Sequence, residues 1–168
     1  MQTEPLKVHS IVLYDGLCGL CDGVVQFLLR RDKKDIFRFA AQQSEFAQEI
    51  LRRHGLTSAS AGAANSDTIC VVEGYGSPAE HVFIKSEATL RITRRLGGLW
   101  RVAGVLVGIL PRRLADRCYD MVARNRFRIF GRREQCRVPG AGDRQKFLGL
   151  VSQTLARDCH SERSEESL

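Results

Sequence analysis

The chain has 168 residues, of which 43% are hydrophobic and 27% are charged, so it is long enough for one domain with an additional segment. A formal net charge of +7 is compatible with an anionic partner but does not by itself indicate nucleic-acid binding. Residues 1–7 are polar and lack the apolar core of a secretory signal, so we expect a cytoplasmic, reducing environment with mostly free thiols. No apolar run approaches the roughly 20 residues that span a bilayer.

A Cys-x-x-Cys pair, Cys18 and Cys21, lies between a predicted strand at 8–13 and a predicted helix from Gly23 to about residue 31. Two cysteines at the first turn of a helix come within disulfide reach, and the N–H groups and positive dipole end there favour a thiolate. In a small protein of a reducing compartment, this arrangement predicts a thioredoxin-like redox site. Asp15, at the end of the strand, is interpreted either as a turn residue or as a proton relay for a buried sulfur.

Two other interpretations of the cysteine pair stay open. A structural zinc site needs four ligands, but the sequence contains no second pair of this spacing, so the remaining ligands would come from distant positions. Alternatively, both cysteines are small buried apolar residues. The other cysteines and the histidines are Cys70, Cys118, Cys136, Cys159, His9, His54, His81 and His160.

The segments after the cysteine pair alternate between helix and strand patterns, and together they predict the fold class. They are a strand at 36–40, a helix at 44–54 capped by Ser44, strands at 67–73 and 81–84, and a helix capped by Ser86 that ends before Gly97. This order predicts an α/β fold for residues 8–98. We expect a thioredoxin-like core with a four-stranded mixed sheet, flanking helices and the cysteine pair at the edge of a cleft.

We predict a helical, arginine-rich extension packed on the core for residues 99–139 and a weakly ordered or disordered tail for residues 140–168. The apolar run 99–110 ends before Pro111 and is interpreted as a buried or surface-packed helix, with insertion into a membrane interface as the alternative. A further helix is predicted at 112–125, with apolar residues at helical spacing. These residues are Leu114, Cys118, Met121 and Val122.

Arginine and phenylalanine interleave at 126–133. The arrangement we favour has Phe127, Ile129 and Phe130 facing the core and the arginines facing water or acidic side chains. Nucleic-acid binding is the less favoured interpretation. A third interpretation is that the arginines raise the positive potential near the cysteine pair and lower a thiol pKa.

The chain resembles the DCC family of thiol-disulfide oxidoreductases, which is named for an aspartate followed by a Cys-x-x-Cys pair. The signature lies at 15–21, and the resemblance extends over about residues 10–139. The matching blocks lie at 38–40, 86–88, 111–112, 119–120, 122–127 and 130–132. The resemblance implies a thioredoxin-like fold and a dithiol redox role with Asp15, Cys18 and Cys21 as the functional residues. Cys136 falls where family members often carry a cysteine.

The chain also departs from ordinary thioredoxins at two places. Residues 65–68, just before the third predicted strand, contain no proline, where redox proteins of this fold usually have a cis-proline. The residues between the cysteines are Gly19 and Leu20 rather than Gly-Pro. A reduction potential therefore cannot be carried over from thioredoxins.

The hypothesis from the sequence is a thiol-disulfide oxidoreductase that needs no organic cofactor and no metal. Cys18, expected to be the more exposed thiol, attacks a protein or small-molecule disulfide, Cys21 resolves the mixed disulfide, and Asp15 exchanges the proton of Cys21. An unidentified reductant restores the dithiol. The alternative is a non-catalytic module whose arginine-rich region binds an acidic partner, nucleic acid or a membrane surface.

Overall fold

A computed structural model of the chain describes residues 9–56, 68–109, 111–131, 140 and 142–149. It contains a single four-stranded sheet within these residues, with helices on both sides. The strands are β1 (Ser10–Tyr14), β2 (Phe37–Ala41), β3 (Cys70–Glu73) and β4 (His81–Ile84), and the helices are α1 (Gly19–Arg31), α2 (Glu45–Arg53), α3 (Lys85–Leu96), α4 (Gly98–Ile109), α5 (Arg112–Phe130) and a short 3-10 helix (Arg144–Lys146).

The strand order is β2-β1-β3-β4, which makes β1 an inner strand. It pairs in parallel with β2 and antiparallel with β3, and β3 pairs antiparallel with β4. All five residues of β1 are buried because both faces of the sheet are covered. The mixed sheet confirms the predicted α/β, thioredoxin-like fold. Since β1 and β2 are parallel, their carboxyl ends lie side by side, and this edge of the sheet carries the cysteine loop.

Three helix starts can be compared with their predictions. Ser44 caps α2 as predicted, because its hydroxyl accepts the N–H of Ala47 at 3.3 Å. The α1 helix begins at Gly19 rather than at Gly23, so the cysteine pair lies in its first turn. The predicted cap of α3 is wrong: the helix begins at Lys85, and the hydroxyl of Ser86 donates to Asp116 of α5 instead.

The side of α5 that faces the core is not the side that we predicted. Arg126 is buried, with only 2% of its surface exposed, whereas Phe127, Ile129 and Phe130 are 37%, 64% and 49% exposed. The predicted apolar stripe of this helix is likewise on the outside, with Met121 58% exposed. The reason is that polar groups of the core require the inward residues of α5 as hydrogen-bond partners. The prediction that the aromatic residues face the core was therefore wrong.

Part of the segment predicted as a weakly ordered tail contacts the sheet. Phe147 is buried, its ring lies 5.4 Å from that of Phe39 and 6.4 Å from that of Tyr14, and the N–H of Leu148 donates to the carbonyl of Phe39 at 2.7 Å. Residues 142–149 thus cover the outer strand β2. Residues 150–168 lie outside the described part of the chain.

Candidate active site

The loop between β1 and α1 brings the two cysteines into the first turn of the helix. Cys18 is the N-cap residue, in an extended conformation, and its N–H donates to the carbonyl of Asp15 at 3.2 Å. The carbonyl of Cys18 accepts the N–H of Asp22 at 3.0 Å as the first bond of the helix. Cys21 follows one turn later on the buried side. Both cysteines are free thiols, so the site is described in its dithiol form.

Both thiols are buried, and the prediction that Cys18 is the more exposed of the two was wrong. Cys18 has no exposed surface and Cys21 is 3% exposed. The end of α5 lies against this turn: the N–H of Gly19 donates to the carbonyl of Gly131 at 3.4 Å. A Cβ atom on Gly19 would collide with the carbonyl oxygen of Phe130. The glycine between the cysteines therefore permits the close approach of α5.

The two thiols have opposite pKa shifts. The pKa of Cys18 is lowered to about 6, chiefly because the Cys21 side chain hydrogen-bonds to its sulfur, with smaller contributions from backbone N–H groups and from the charge of Arg126. Burial acts in the opposite direction. The pKa of Cys21 is raised by the same hydrogen bond, by burial and by the neighbouring Cys18 thiolate. Cys18 can therefore act as a nucleophile near neutral pH, whereas Cys21 keeps its proton.

Asp15 is buried directly beside this turn and has several hydrogen-bond partners. Its Oδ1 atom accepts the N–H of Leu17 at 3.0 Å and the side-chain amide of Gln43 at 2.9 Å. Its Oδ2 atom lies 3.2 Å from Nη2 of Arg126. Gln43 also accepts the N–H of Gly16 at 3.2 Å, so it links the loop to the end of β2. The position of the carboxylate is therefore fixed from three sides.

Arg126 and Gln43 were not among the site residues predicted from the sequence. Gln43 follows β2, and the parallel pairing of β1 and β2 was a signal that it lies beside Asp15. Arg126 lies 111 residues after Asp15, so no local pattern connects the two. The interpretation that arginines of this segment raise the positive potential at the cysteines identified the region but not the residue.

Tyr119 of α5 is largely buried and contacts the chain just before β3. Its hydroxyl accepts the N–H of Ile69 at 3.1 Å, and burial raises its pKa. This contact holds the chain just before β3. Cys70 is itself buried within β3, and burial raises its pKa to about 12, which is typical of an unreactive structural thiol.

Two further findings concern the part of the chain that the structure describes. It contains no group of three or more metal-ligating side chains, and no helix in it is long and apolar enough to cross a membrane. Cys136, Cys159 and residues 65–67 lie outside the described residues.

The four-stranded mixed sheet with flanking helices defines a protein of the α/β, thioredoxin-like class, with two free cysteines at the N-terminus of α1. The family profile of DCC1-like thiol-disulfide oxidoreductases matches residues 12–132, and the chain belongs to this family. The match includes Asp15, both cysteines and Arg126. Membership supports a redox role in general terms.

Two relatives align over most of their length. The uncharacterized protein YuxK of Bacillus subtilis is 33% identical over 140 residues, which cover 83% of this chain and 94% of that protein. A chloroplastic DCC family protein of Arabidopsis thaliana is 32% identical over 130 residues, which cover 77% of this chain and 70% of the relative. No solved structure was found to match the chain.

Proposed function

We propose that the chain is a thiol-disulfide oxidoreductase in which Cys18 and Cys21 alternate between dithiol and disulfide. The observation that carries the proposal is the position of Cys18 at the N-cap of α1, beside Cys21, where its pKa is lowered to about 6. A thiol with this pKa is largely ionised at neutral pH, and the thiolate is the reactive species in disulfide exchange. The substrate class is a protein or small-molecule disulfide.

The reaction consists of two exchanges. The Cys18 thiolate attacks one substrate sulfur, so an S–S bond forms to Cys18 as the substrate S–S bond breaks, and the leaving thiolate takes a proton from water. Cys21 then loses its proton and attacks the sulfur of Cys18, which releases the second substrate sulfur as a thiol. The substrate disulfide gains two electrons and the dithiol loses them. A thiol reductant then restores Cys18 and Cys21.

Asp15 is the proposed acceptor of the Cys21 proton. The raised pKa of Cys21 means that its deprotonation needs a nearby base, and Asp15 is the carboxylate whose charge acts on this thiol. Leu17, Gln43 and Arg126 fix the orientation of the carboxylate. In this proposal Arg126 is a positioning residue, because it acts through Asp15 and through its charge near Cys18.

Access to Cys18 requires a local movement, because this residue has no exposed surface. The end of α5 contacts the first turn of α1 through Gly19 and Gly131. We propose that displacement of this end exposes the Cys18 sulfur to a substrate disulfide. Opening of a helix end held by few backbone contacts costs less than global unfolding.

Turnover of a disulfide substrate by variants of each cysteine tests the assignment. Cys18→Ser should abolish reduction of insulin by the chain in the presence of dithiothreitol, and Cys21→Ser should accumulate a mixed disulfide between Cys18 and the substrate. Cys118→Ser is the matched control, because Cys118 is an exposed cysteine of α5. Retention of full activity by Cys18→Ser would exclude it as the attacking thiol.

A further inference from the structure

Among the residues of α4 whose side chains the structure describes, Gly104 is buried and Trp100 is half-buried, whereas the other large apolar residues are exposed. In the described part of the chain, every exposed large hydrophobic residue belongs to α4 or α5. This distribution is the reverse of that in a helix of a water-soluble domain, where the apolar side faces the core. An exposed apolar surface of this kind marks an interaction site.

Two glycines of α4 allow the close contact of this helix with α3. A Cβ atom on Gly104 would lie 3.1 Å from Cβ of Thr93, and one on Gly108 would lie 3.3 Å from Leu90. Trp100 also points inward, with its ring 4.7 Å from that of Phe27 on α1. These contacts fix the orientation of α4, so its other side is held toward the outside.

The outward side forms a continuous stripe, which we name the α4 apolar face. Each member has another member three or four residues away, so together they occupy one side of the helix. They are Leu99, Val102, Val105, Leu106 and Ile109, with exposed fractions of 79%, 55%, 49%, 61% and 72%. Because α4 has only twelve residues, it is too short to cross a bilayer, but a helix of this kind can lie in the interface between headgroups and acyl chains.

Positive charges predominate around this face, although Arg112 is paired with Glu87 of α3 at 2.8 Å. Residues 98–131 contain seven arginines but only two acidic residues, Asp116 and Asp120. Both aspartates contact the first turn of α3. Asp116 accepts a hydrogen bond from the hydroxyl of Ser86, and Asp120 lies 3.1 Å from the Lys85 ammonium. Since Arg126 is buried and the Asp120 side chain is 40% exposed, the outward charges of α4 and α5 are mostly, but not all, arginines.

Exposed arginines lie before, within and after α4, at Arg94, Arg101 and Arg113. A second copy related by two-fold symmetry would bring these like charges together, which disfavours a homodimer through this face. A bilayer containing anionic phospholipids instead offers acyl chains for the apolar side chains and phosphates for the arginines. From this combination of apolar stripe and cationic border, we infer that α4 docks the protein onto the surface of an anionic phospholipid membrane.

Vesicle sedimentation of the full chain tests this inference. One set of vesicles contains equal parts of phosphatidylglycerol and phosphatidylcholine, and the other contains phosphatidylcholine alone. We expect binding to the anionic vesicles that weakens as ionic strength rises and is much weaker on the neutral vesicles. The double variant Leu106→Gln/Ile109→Gln keeps every charge and should lower the partition coefficient by about tenfold or more.

The matched control is Met121→Gln/Ile129→Gln, which makes the same change at residues of α5 that are 58% and 64% exposed. It should leave binding within about twofold, since only the α4 apolar face inserts. Circular dichroism and the alkylation rate of Cys18 verify that both variants stay folded. Equal weakening by the control would overturn the assignment of the face to α4.

Two other outcomes would also overturn the inference. One is the absence of wild-type binding to anionic vesicles at low ionic strength. The other is a dimer in light scattering that the Leu106→Gln/Ile109→Gln variant dissociates, which would assign the face to a second copy of the chain. None of these results depends on whether the cysteines are catalytic, because sedimentation and light scattering do not report on thiol exchange.

Discussion

The guanidinium of Arg126 and the carboxylate of Asp15 form a buried ion pair, with 3.2 Å between Nη2 and Oδ2. Asp15 is the first residue of the loop after β1, and Arg126 is in the last part of α5. The pair therefore connects the arginine-rich extension with the cysteine site. Because both groups are buried away from water, each charge requires the other as its counter-ion.

Removing one member of this pair should destabilise the fold strongly. Arg126→Met leaves Asp15 as a buried charge without its counter-ion, and the expected loss in the free energy of unfolding is about 3–5 kcal/mol. Urea denaturation of the reduced protein measures it. Arg128→Met is the control, because Arg128 is exposed on the same helix, and its effect should stay within about 0.5 kcal/mol. Equal effects of the two substitutions would contradict a buried structural role for Arg126.

The reactivity of Cys18 should depend on pH in a way that reports its lowered pKa. The rate of iodoacetamide alkylation at Cys18 should rise with pH through a midpoint near about 6, because only the thiolate reacts and its fraction increases above the pKa. Quenched reactions analysed by peptide mass spectrometry separate Cys18 from the other cysteines.

Arg126 should influence this profile through its charge. Arg126→Lys keeps the positive charge and should keep the midpoint low, whereas Arg126→Met should move it to higher pH. Both variants must be compared under conditions in which circular dichroism shows them folded, because an unfolded chain would also give the ordinary midpoint of a cysteine thiol. A wild-type midpoint at the ordinary value of a cysteine thiol would contradict the proposed activation of Cys18.

Two glycines of α1 allow a matched test of access to the site. Gly19→Ala places a methyl group against the carbonyl of Phe130, so the end of α5 must move away and Cys18 should become easier to alkylate. If local opening becomes easier by about 1 kcal/mol, the rate should rise about fivefold. Gly23→Ala introduces the same group where nothing lies within 4 Å.

The control substitution should leave Cys18 reactivity unchanged and stabilise the helix by about 0.5–1 kcal/mol, since alanine is the better helix former. Alkylation kinetics at one pH and thermal unfolding provide both readouts. If Gly19→Ala left the Cys18 rate equal to that of Gly23→Ala, the end of α5 would not control access.

Tyr119 should contribute to stability through its hydroxyl. Tyr119→Phe removes the acceptor of the Ile69 N–H, and an unsatisfied N–H in this partly buried position should cost about 1–3 kcal/mol. Amide hydrogen exchange should be faster at Ile69 in the variant, while β1 amides remain protected. Unchanged exchange at Ile69 would show that the hydroxyl is dispensable there.

The sheet and the cysteine loop could be predicted because their signals are local. The near-continuous apolar run of β1 and the cap at Ser44 correspond to features of the structure. The Cys-x-x-Cys spacing placed both thiols at the start of a helix, although glycine at position 23 suggested a later start. Gly23 is tolerated within α1 because it is exposed and has no close neighbour.

The orientation of α5 could not be predicted from the sequence, because its cause is not local. A periodic pattern assigns apolar residues to the core, but the buried polar groups Asp15 and Ser86 and the N–H of Ile69 select their partners from α5. These contacts turn Phe130 and Met121 outward. The contact of Gly19 with the end of α5 likewise joins residues that are far apart in the sequence. The catalytic roles of Asp15, Cys18 and Cys21 stay predictions.

The measurement that tests the central claim most directly is a redox titration of the purified chain. The protein is equilibrated across glutathione and dithiothreitol buffers, free thiols are alkylated, and the modified cysteines are located by peptide mass spectrometry. We predict a reversible two-electron transition confined to Cys18 and Cys21, with Cys70 remaining a thiol throughout. A pair that stays reduced under all conditions, or that resists alkylation until a chelator is added, would contradict a redox site and favour a structural or metal-binding one.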